Sequence, residues 1–379
     1  MNGRCQHIFC AFQTIFRHYL FNSASAQPHT IKALCKRCVN LVPTPFIQVA
    51  RRMVLLQFAV FAGISDGLSI YFGWVLLLLL FQQVICTVFH ALSHNAHIIG
   101  FQLGKILISA GAKIRTIATT IEEGFSLPKV EKFEELINER TRAIMICNPN
   151  NPTGYLYTRR EMNQIRDLVK KYDLYLFSDE VYREYIYTGS PYISACHLEG
   201  IEQNVILIDS VSKRYSECGI RVGALITKNK EVRAAVMKFC QARLSPPLIG
   251  QIVAEASLDA PEEYYRDVYD EYVERRKCLI DGLNRIPGVY SPIPMGAFYT
   301  VAQLPVDDSE TFCRWCLEEF QYEGETVMMA PATGFYTTPG AGINQVRIAY
   351  VLKKEDLERA LVVLRKALEA YPGRKEQQS

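Results

Sequence analysis

The chain is expected to fold as an α/β protein, with a large domain on a mostly parallel sheet and a smaller C-terminal α+β domain. Three observations predict this. From about residue 108, short apolar runs alternate with amphipathic helical stretches. Those runs are nearly continuous in Val, Ile and Leu, as in strands buried on both faces. Near residue 290 the alternation gives way to strands and helices in another order, so a length of 379 residues divides into more than one domain.

Taken in order, residues 113–119 read as a strand and 127–138 as a helix. Ala143, Ile144, Met145, Ile146 and Cys147 make a second buried strand. A helix opens at Thr158, whose hydroxyl can cap it while Glu161 completes a capping box, and Met162, Ile165, Leu168 and Val169 share one face. Strands follow at 174–177, 205–208 and 223–226, then long helices at 230–243 and 262–285. The last portion holds strands near 298–302, 326–330 and 345–351. It closes on a helix over 355–371 striped by Leu357, Leu361, Leu364 and Leu368.

Residues 1–105 differ in texture. Their one acidic residue is Asp66, against Arg4, Arg17, Lys32, Lys36, Arg37, Arg51, Arg52 and Lys105, so the segment carries +7 and the remainder −4 of the net +3. Six of the seven histidines lie there too. Such a break marks a domain boundary, an appended segment or sequence foreign to the folding unit, as after a shifted reading frame, an assembly error or a gene rearrangement. Residues 68–92 are long and apolar enough to consider as a membrane span, yet Gln82 and Gln83 interrupt the run and nothing downstream reads as membrane-bound, so no membrane partner is expected. The small net charge points to no nucleic-acid partner. Twelve scattered cysteines and the lack of a signal peptide of the usual form at Met1 fit reduced thiols in a cytoplasmic protein. Cys35 and Cys38 have metal-ligand spacing but no second pair at a finger-like distance, and Cys313 and Cys316 read as helix core, so no metal is expected.

Four motifs sit at strand ends or on strands. Asn148-Pro149-Asn150-Asn151-Pro152-Thr153-Gly154 follows one strand; its prolines fix φ and Gly154 permits an unusual backbone, which either makes a plain turn or holds the Asn151 amide toward a ligand. Asp179, in Ser178-Asp179-Glu180-Val181-Tyr182, ends another apolar strand, where a carboxylate is costly unless paired; Tyr182 could reach the same partner. Ser210-Val211-Ser212-Lys213, with Gly219, Arg221 and Gly223, puts Lys213 just past the carboxyl end of a third strand, the place where open α/β sheets bind ligands. Arg347 alternates with Val346 and Ile348, facing either solvent or a cleft where its planar fork suits a carboxylate.

In this order the motifs resemble those of the class I/II aminotransferases of pyridoxal-phosphate fold type I, over roughly residues 108–373, and most of all the bacterial aspartate-aminotransferase-like members. The resemblance implies a cofactor-binding large domain over 106–290 and a small domain over 291–379. It implies pyridoxal 5'-phosphate as cofactor, with Lys213 carrying its aldehyde as an imine and afterwards moving the α-proton. Asp179 would pair with the pyridine nitrogen, Asn151 and Tyr182 with the phenolic oxygen, and Ser210, Ser212 and Arg221 with the phosphate. Arg347 would hold the substrate α-carboxylate. The implied reaction transfers an amino group from an aspartate-like amino acid to a 2-oxo acid such as 2-oxoglutarate, in a homodimer.

Within 1–105 no glycine-rich phosphate turn, ring-stacking aromatic or first sheet strand of the family is recognisable. The same residues also suit another reaction of this fold type, such as a C–S lyase, or a catalytically impaired or dead relative that keeps the lysine as part of a binding module.

Overall fold

The computed structural model describes residues 97–100 and 112–375. Six strands form one sheet: β1 (His97–Gly100), β2 (Lys113–Arg115), β3 (Thr141–Cys147), β4 (Tyr175–Asp179), β5 (Val205–Ser210) and β6 (Gly223–Ile226). Their order is β2-β1-β3-β4-β5-β6, all parallel except β6, which runs antiparallel to β5. A second, three-stranded antiparallel sheet, in the order β7-β9-β8, comprises β7 (Tyr299–Gln303), β8 (Ala330–Pro331) and β9 (Gln345–Ala349). The helices are α1 (Val130–Glu134), α2 (Arg159–Tyr172), α3 (Val211–Arg214), α4 (Lys230–Arg243), α5 (Leu248–Ala256), α6 (Glu262–Asn284), α7 (Ser309–Glu318) and α8 (Lys354–Ala370). This is the α/β class the sequence predicts, with a mostly parallel sheet followed by a smaller antiparallel one.

Alternation along the central strands sends side chains to two cores. Ile144, Ile146, Leu176 and Val205 pack with Phe133 of α1 and Met162, Ile165, Leu168 and Val169 of α2. Ala143, Met145, Phe177 and Ile206 pack with Val232 and Val236 of α4. Both faces are therefore covered, which is why these strands read as unbroken apolar runs. Thr158 caps α2 through the Glu161 amide, and the Glu161 carboxylate accepts the Thr158 amide in return, the capping box expected. A third core joins α6, α7 and α8 to the small sheet, and Leu357, Leu364 and Leu368 of α8 lie in it.

Several elements are shorter than the pattern suggests. The strand expected over 113–119 stops at Arg115, and the helix expected over 127–138 shrinks to α1, which has no side-chain cap at Lys129 and buries only Phe133. Of the strand expected over 326–330, only Ala330 pairs, together with Pro331; proline has no amide to extend the ladder. No helix was assigned to 248–256, yet α5 forms there behind Pro247, and most of its apolar side chains stay exposed. The sheet also takes a strand, β1, from within the segment where none was recognised. The rest of residues 1–105, with Cys35, Cys38 and the apolar run 68–92, lies outside the described residues. Among the described residues no helix is long and apolar enough to cross a membrane.

The parallel direction of β3, β4 and β5 brings their carboxyl ends side by side, so the three motif loops share one edge of the sheet. The loop after β3 is locked against the small sheet. The carbonyl of Gly154 accepts Met295 N at 2.8 Å and Gly296 N at 2.9 Å, and Gly154 itself has φ +70°. A methyl group there would meet Pro294 Cβ and lie 2.8 Å from the Tyr299 carbonyl oxygen. Gly154→Ala is therefore expected to cost about 2 kcal/mol or more, through backbone strain and overpacking together. Urea unfolding checks this through a lowered midpoint at unchanged slope.

Candidate active site

Asn151 is half-buried in the loop after β3. Its neighbour Asn150 fixes it from within: Asn150 Oδ1 accepts Thr153 Oγ1 at 2.8 Å, and Asn150 O accepts Gly154 N at 2.9 Å. The Asn148–Pro149 and Asn151–Pro152 peptides are both cis. The Asn151 amide then spans two other segments. Its Nδ2 donates to Tyr182 Oη at 3.2 Å, and its Oδ1 accepts Arg347 Nη1 at 3.2 Å.

Tyr182 stands on the turn that follows β4 and is 4% exposed. Burial, and next the neighbouring Tyr299 phenol, hold its hydroxyl well above the ordinary phenol range, so it remains a donor at neutral pH. It donates to Tyr299 Oη at 3.4 Å, a long bond. Phe298 packs edge-on against the Tyr182 ring, with centroids 5.2 Å apart. The amine of Lys213 lies 5.9 Å from the centroids of both rings.

Asp179 ends β4, and its carboxylate accepts Val181 N at 3.3 Å. Burial is the main cause that pushes its carboxyl up to about 6; Asp209 and Glu180 push the same way, and the Val181 amide and Lys213 oppose them. Among the described residues no arginine or lysine pairs with it directly. The consequence for stability has a definite sign. Between the ordinary value of 3.8 and about 6 the unfolded chain ionises first, so stability falls as pH rises through that window, by roughly 3 kcal/mol in all. Asp179→Asn is thus expected to raise the melting temperature of the cofactor-free chain by several degrees at pH 7.5, and the gain to vanish as pH falls to about 4. Thermal unfolding of both forms across that range is the check; an equal gain at both ends contradicts the assignment.

Ser210 and Ser212 face each other, with their hydroxyls 2.6 Å apart, and Ser210 Oγ also accepts Ser212 N at 2.9 Å. Arg221 is exposed, has φ +60° and donates to the Cys218 carbonyl at 2.6 Å. No hydrogen bond among the described residues joins it to the two serines. Arg347 sits on the central strand of the small sheet, half-buried, with its guanidinium 4.9 Å from the ring centroids of both Tyr299 and Phe335.

The structure therefore joins Asn151, Tyr182 and Arg347 by direct contacts and sets Lys213 beside them. Asp179 stands at the carboxyl edge of the neighbouring strand. Among the described residues no side-chain hydrogen bond joins Asp179, Arg221 or the serine pair to Asn151, Tyr182, Lys213 or Arg347. Sequence reasoning missed Tyr185, Phe298, Tyr299 and Phe335, which line or brace the site. The run Gly296-Ala297-Phe298-Tyr299 leading into β7 was a usable signal, since two consecutive aromatics where a strand begins put large rings on both sides of the chain.

The model of the family aminotransferase class I and II matches residues 82–364, beginning earlier than the motifs themselves. The chain is 31% identical over 258 residues to an aspartate aminotransferase of Pyrococcus horikoshii, covering 65% of this chain and 62% of that protein. Among solved structures it is similar to the aspartate aminotransferase of Thermus thermophilus with maleate, at TM-score 0.67 and 25% identity, covering 76% of this chain and 73% of the other. It is also similar to an aromatic aminotransferase of Pyrococcus horikoshii, at TM-score 0.68 and 26% identity, covering 76% and 77%. The chain spans 60–63% of the length of the curated relatives it first matches.

Proposed function

The chain belongs to the aminotransferase class I and II family, and on that premise we propose that it transfers an amino group from an aspartate-like amino acid to a 2-oxo acid such as 2-oxoglutarate. The observation that carries this reading is the contact chain Arg347–Asn151–Tyr182 beside Lys213, which brings a carboxylate-binding fork, an amide, a phenol and an amine to one place.

The family works with pyridoxal 5'-phosphate, and the residues present fit that group. Asp179, enclosed and with no cationic side chain paired to it among the described residues, suits a protonated ring nitrogen. Asn151 Nδ2 and Tyr182 Oη suit an oxygen on the ring. The Ser210 and Ser212 hydroxyls, with Arg221 on the next turn, suit the phosphate. When bound, the cofactor supplies an electron sink for the pair released as the Cα–H bond breaks.

The chain's own residues do the rest. Arg347 binds the α-carboxylate through its fork, with the Tyr299 and Phe335 rings packed close to the guanidinium. Lys213 Nζ takes the proton from Cα and later returns one. Tyr182 keeps its proton and donates it as a hydrogen bond, while Asn151 fixes both Tyr182 and Arg347 in place. Asp179 would hold positive charge at the ring nitrogen, and that charge would offset the burial that makes its ionisation costlier than usual.

We place the protein in the cytoplasm and read it as a homodimer. The exposed apolar residues Leu248, Ile249, Ile252 and Leu258, on and just after α5, support a face covered by a second copy. Incubating the purified chain with pyridoxal phosphate, aspartate and 2-oxoglutarate tests the function: glutamate and oxaloacetate in equal amounts are expected. Absence of both, or release of a side-chain fragment instead, contradicts it.

A further inference from the structure

Lys213 stands on α3, four residues long, and so short a helix gains little fixation from its own hydrogen bonds. Charged side chains close a ring around the segment that carries it. Arg183 Nη2 lies 2.8 Å from Asp209 Oδ2, and its Nε lies 3.5 Å from Glu184 Oε1. Arg214 Nη2 lies 3.0 Å from the same Asp209 oxygen, and its Nε lies 2.8 Å from the same Glu184 oxygen. Two arginines thus bridge the same two carboxylates, with charges that sum to zero. Asp209 is 8% exposed, and its other oxygen accepts Ser210 N at 2.8 Å.

The ring joins two site-bearing turns. Arg183 and Glu184 follow Asp179 and Tyr182 on the turn after β4, while Asp209 and Arg214 flank Ser210, Ser212 and Lys213. Two phenols add to the hold. Tyr185 Oη donates to the Lys213 carbonyl at 2.7 Å, and Tyr264 Oη from α6 donates to the Arg214 carbonyl at 3.4 Å. These bonds take up carbonyls at the end of α3, where a helix leaves its acceptors unpaired.

We propose that Arg183, Glu184, Asp209 and Arg214 form a positioning clamp that fixes the Lys213 amine relative to Asp179 and Tyr182. The clamp rests on the reading of Lys213 as the reacting amine. None of the four touches the substrate or the reacting atoms; they act through the backbone of the two turns. The fork of arginine is what allows one side chain to hold two carboxylates at once, and removing either arginine leaves both carboxylates on a single guanidinium, with one negative charge uncompensated.

The test uses the full chain and the variants Arg214→Met, Arg214→Lys and Glu184→Gln. Without cofactor, hydrogen exchange of a peptide covering 205–220 is expected to quicken at least about tenfold in Arg214→Met and less in Glu184→Gln, with α2 unchanged. With pyridoxal phosphate, kcat is expected to fall about tenfold in Arg214→Met while KM for the amino acid stays within about twofold, and Arg214→Lys to recover part of it. Unchanged exchange in both weakened variants overturns the clamp, as does exchange that quickens equally throughout the chain. An unmodified chain that fails to take up the cofactor contradicts the proposed function instead, and the exchange result still decides the clamp.

Discussion

Lys213→Ala is expected to leave no more than about one ten-thousandth of the original turnover. A positioned general base or acid contributes about 10²- to 10⁴-fold, and here one amine both holds the cofactor and moves the proton, so its removal takes away two contributions at once. The loss is specific to the chemistry. Lys213 Nζ meets the Tyr182 and Phe298 rings only at 5.9 Å, so the fold is expected to keep its stability within about 1 kcal/mol. The affinity for the amino acid is expected to survive, because Arg347 and Asn151 remain. Single-turnover absorbance, with a thermal melt on the same sample, checks both halves. A variant that still turns over at a tenth of the original rate places the proton transfer on another group.

Arg347→Ala is expected to lower kcat/KM by about 10²- to 10⁴-fold, mostly through KM. Two hydrogen bonds to a charged group, each worth about 1.5–3 kcal/mol, are lost together. The effect is expected to be alike for every amino acid and 2-oxo acid, since the α-carboxylate is common to all. Arg347→Lys is expected to restore only a small part, because a point charge cannot reproduce the planar fork or its packing close to Tyr299 and Phe335. Steady-state kinetics with two amino acids of different side chain give the answer. A loss confined to one of them shows that Arg347 reads the side chain instead.

Much of the central fold is legible in the sequence because local signals agree there. In β3 the alternation of Ile144 and Ile146 with Ala143 and Met145 maps directly onto two covered faces, and Thr158 with Glu161 fixes where α2 begins. Where tertiary context decides, the pattern misleads. The segment 326–330 has strand composition, but β9 offers it only two pairing positions. Residues 248–256 form a helix with Ile249, Ile252, Val253 and Ala256 at helical spacing, but the segment is short and follows two prolines, and Leu248, Ile249 and Ile252 stay exposed.

The site divides in the same way. Asn151, Asp179 and Lys213 are readable because each ends or closely follows an apolar strand, and strand ends in a parallel sheet gather at one edge. The role of Asn151 as the link to Arg347 is not readable, for the two are 196 positions apart and meet only in the folded chain. Asp209 and Arg214 lie next to a motif and still pass unnoticed. Their meaning comes from Arg183 and Glu184 on a different strand end. Arg221 shows the converse: its motif is clear, yet its side chain turns to its own loop at Cys218.

The most direct measurement is borohydride reduction of the purified chain after incubation with pyridoxal phosphate, followed by mass mapping of the peptides. One cofactor adduct per chain is expected, on the peptide that carries Lys213, and none in Lys213→Ala. No adduct, or an adduct spread over other lysines, would contradict this assignment.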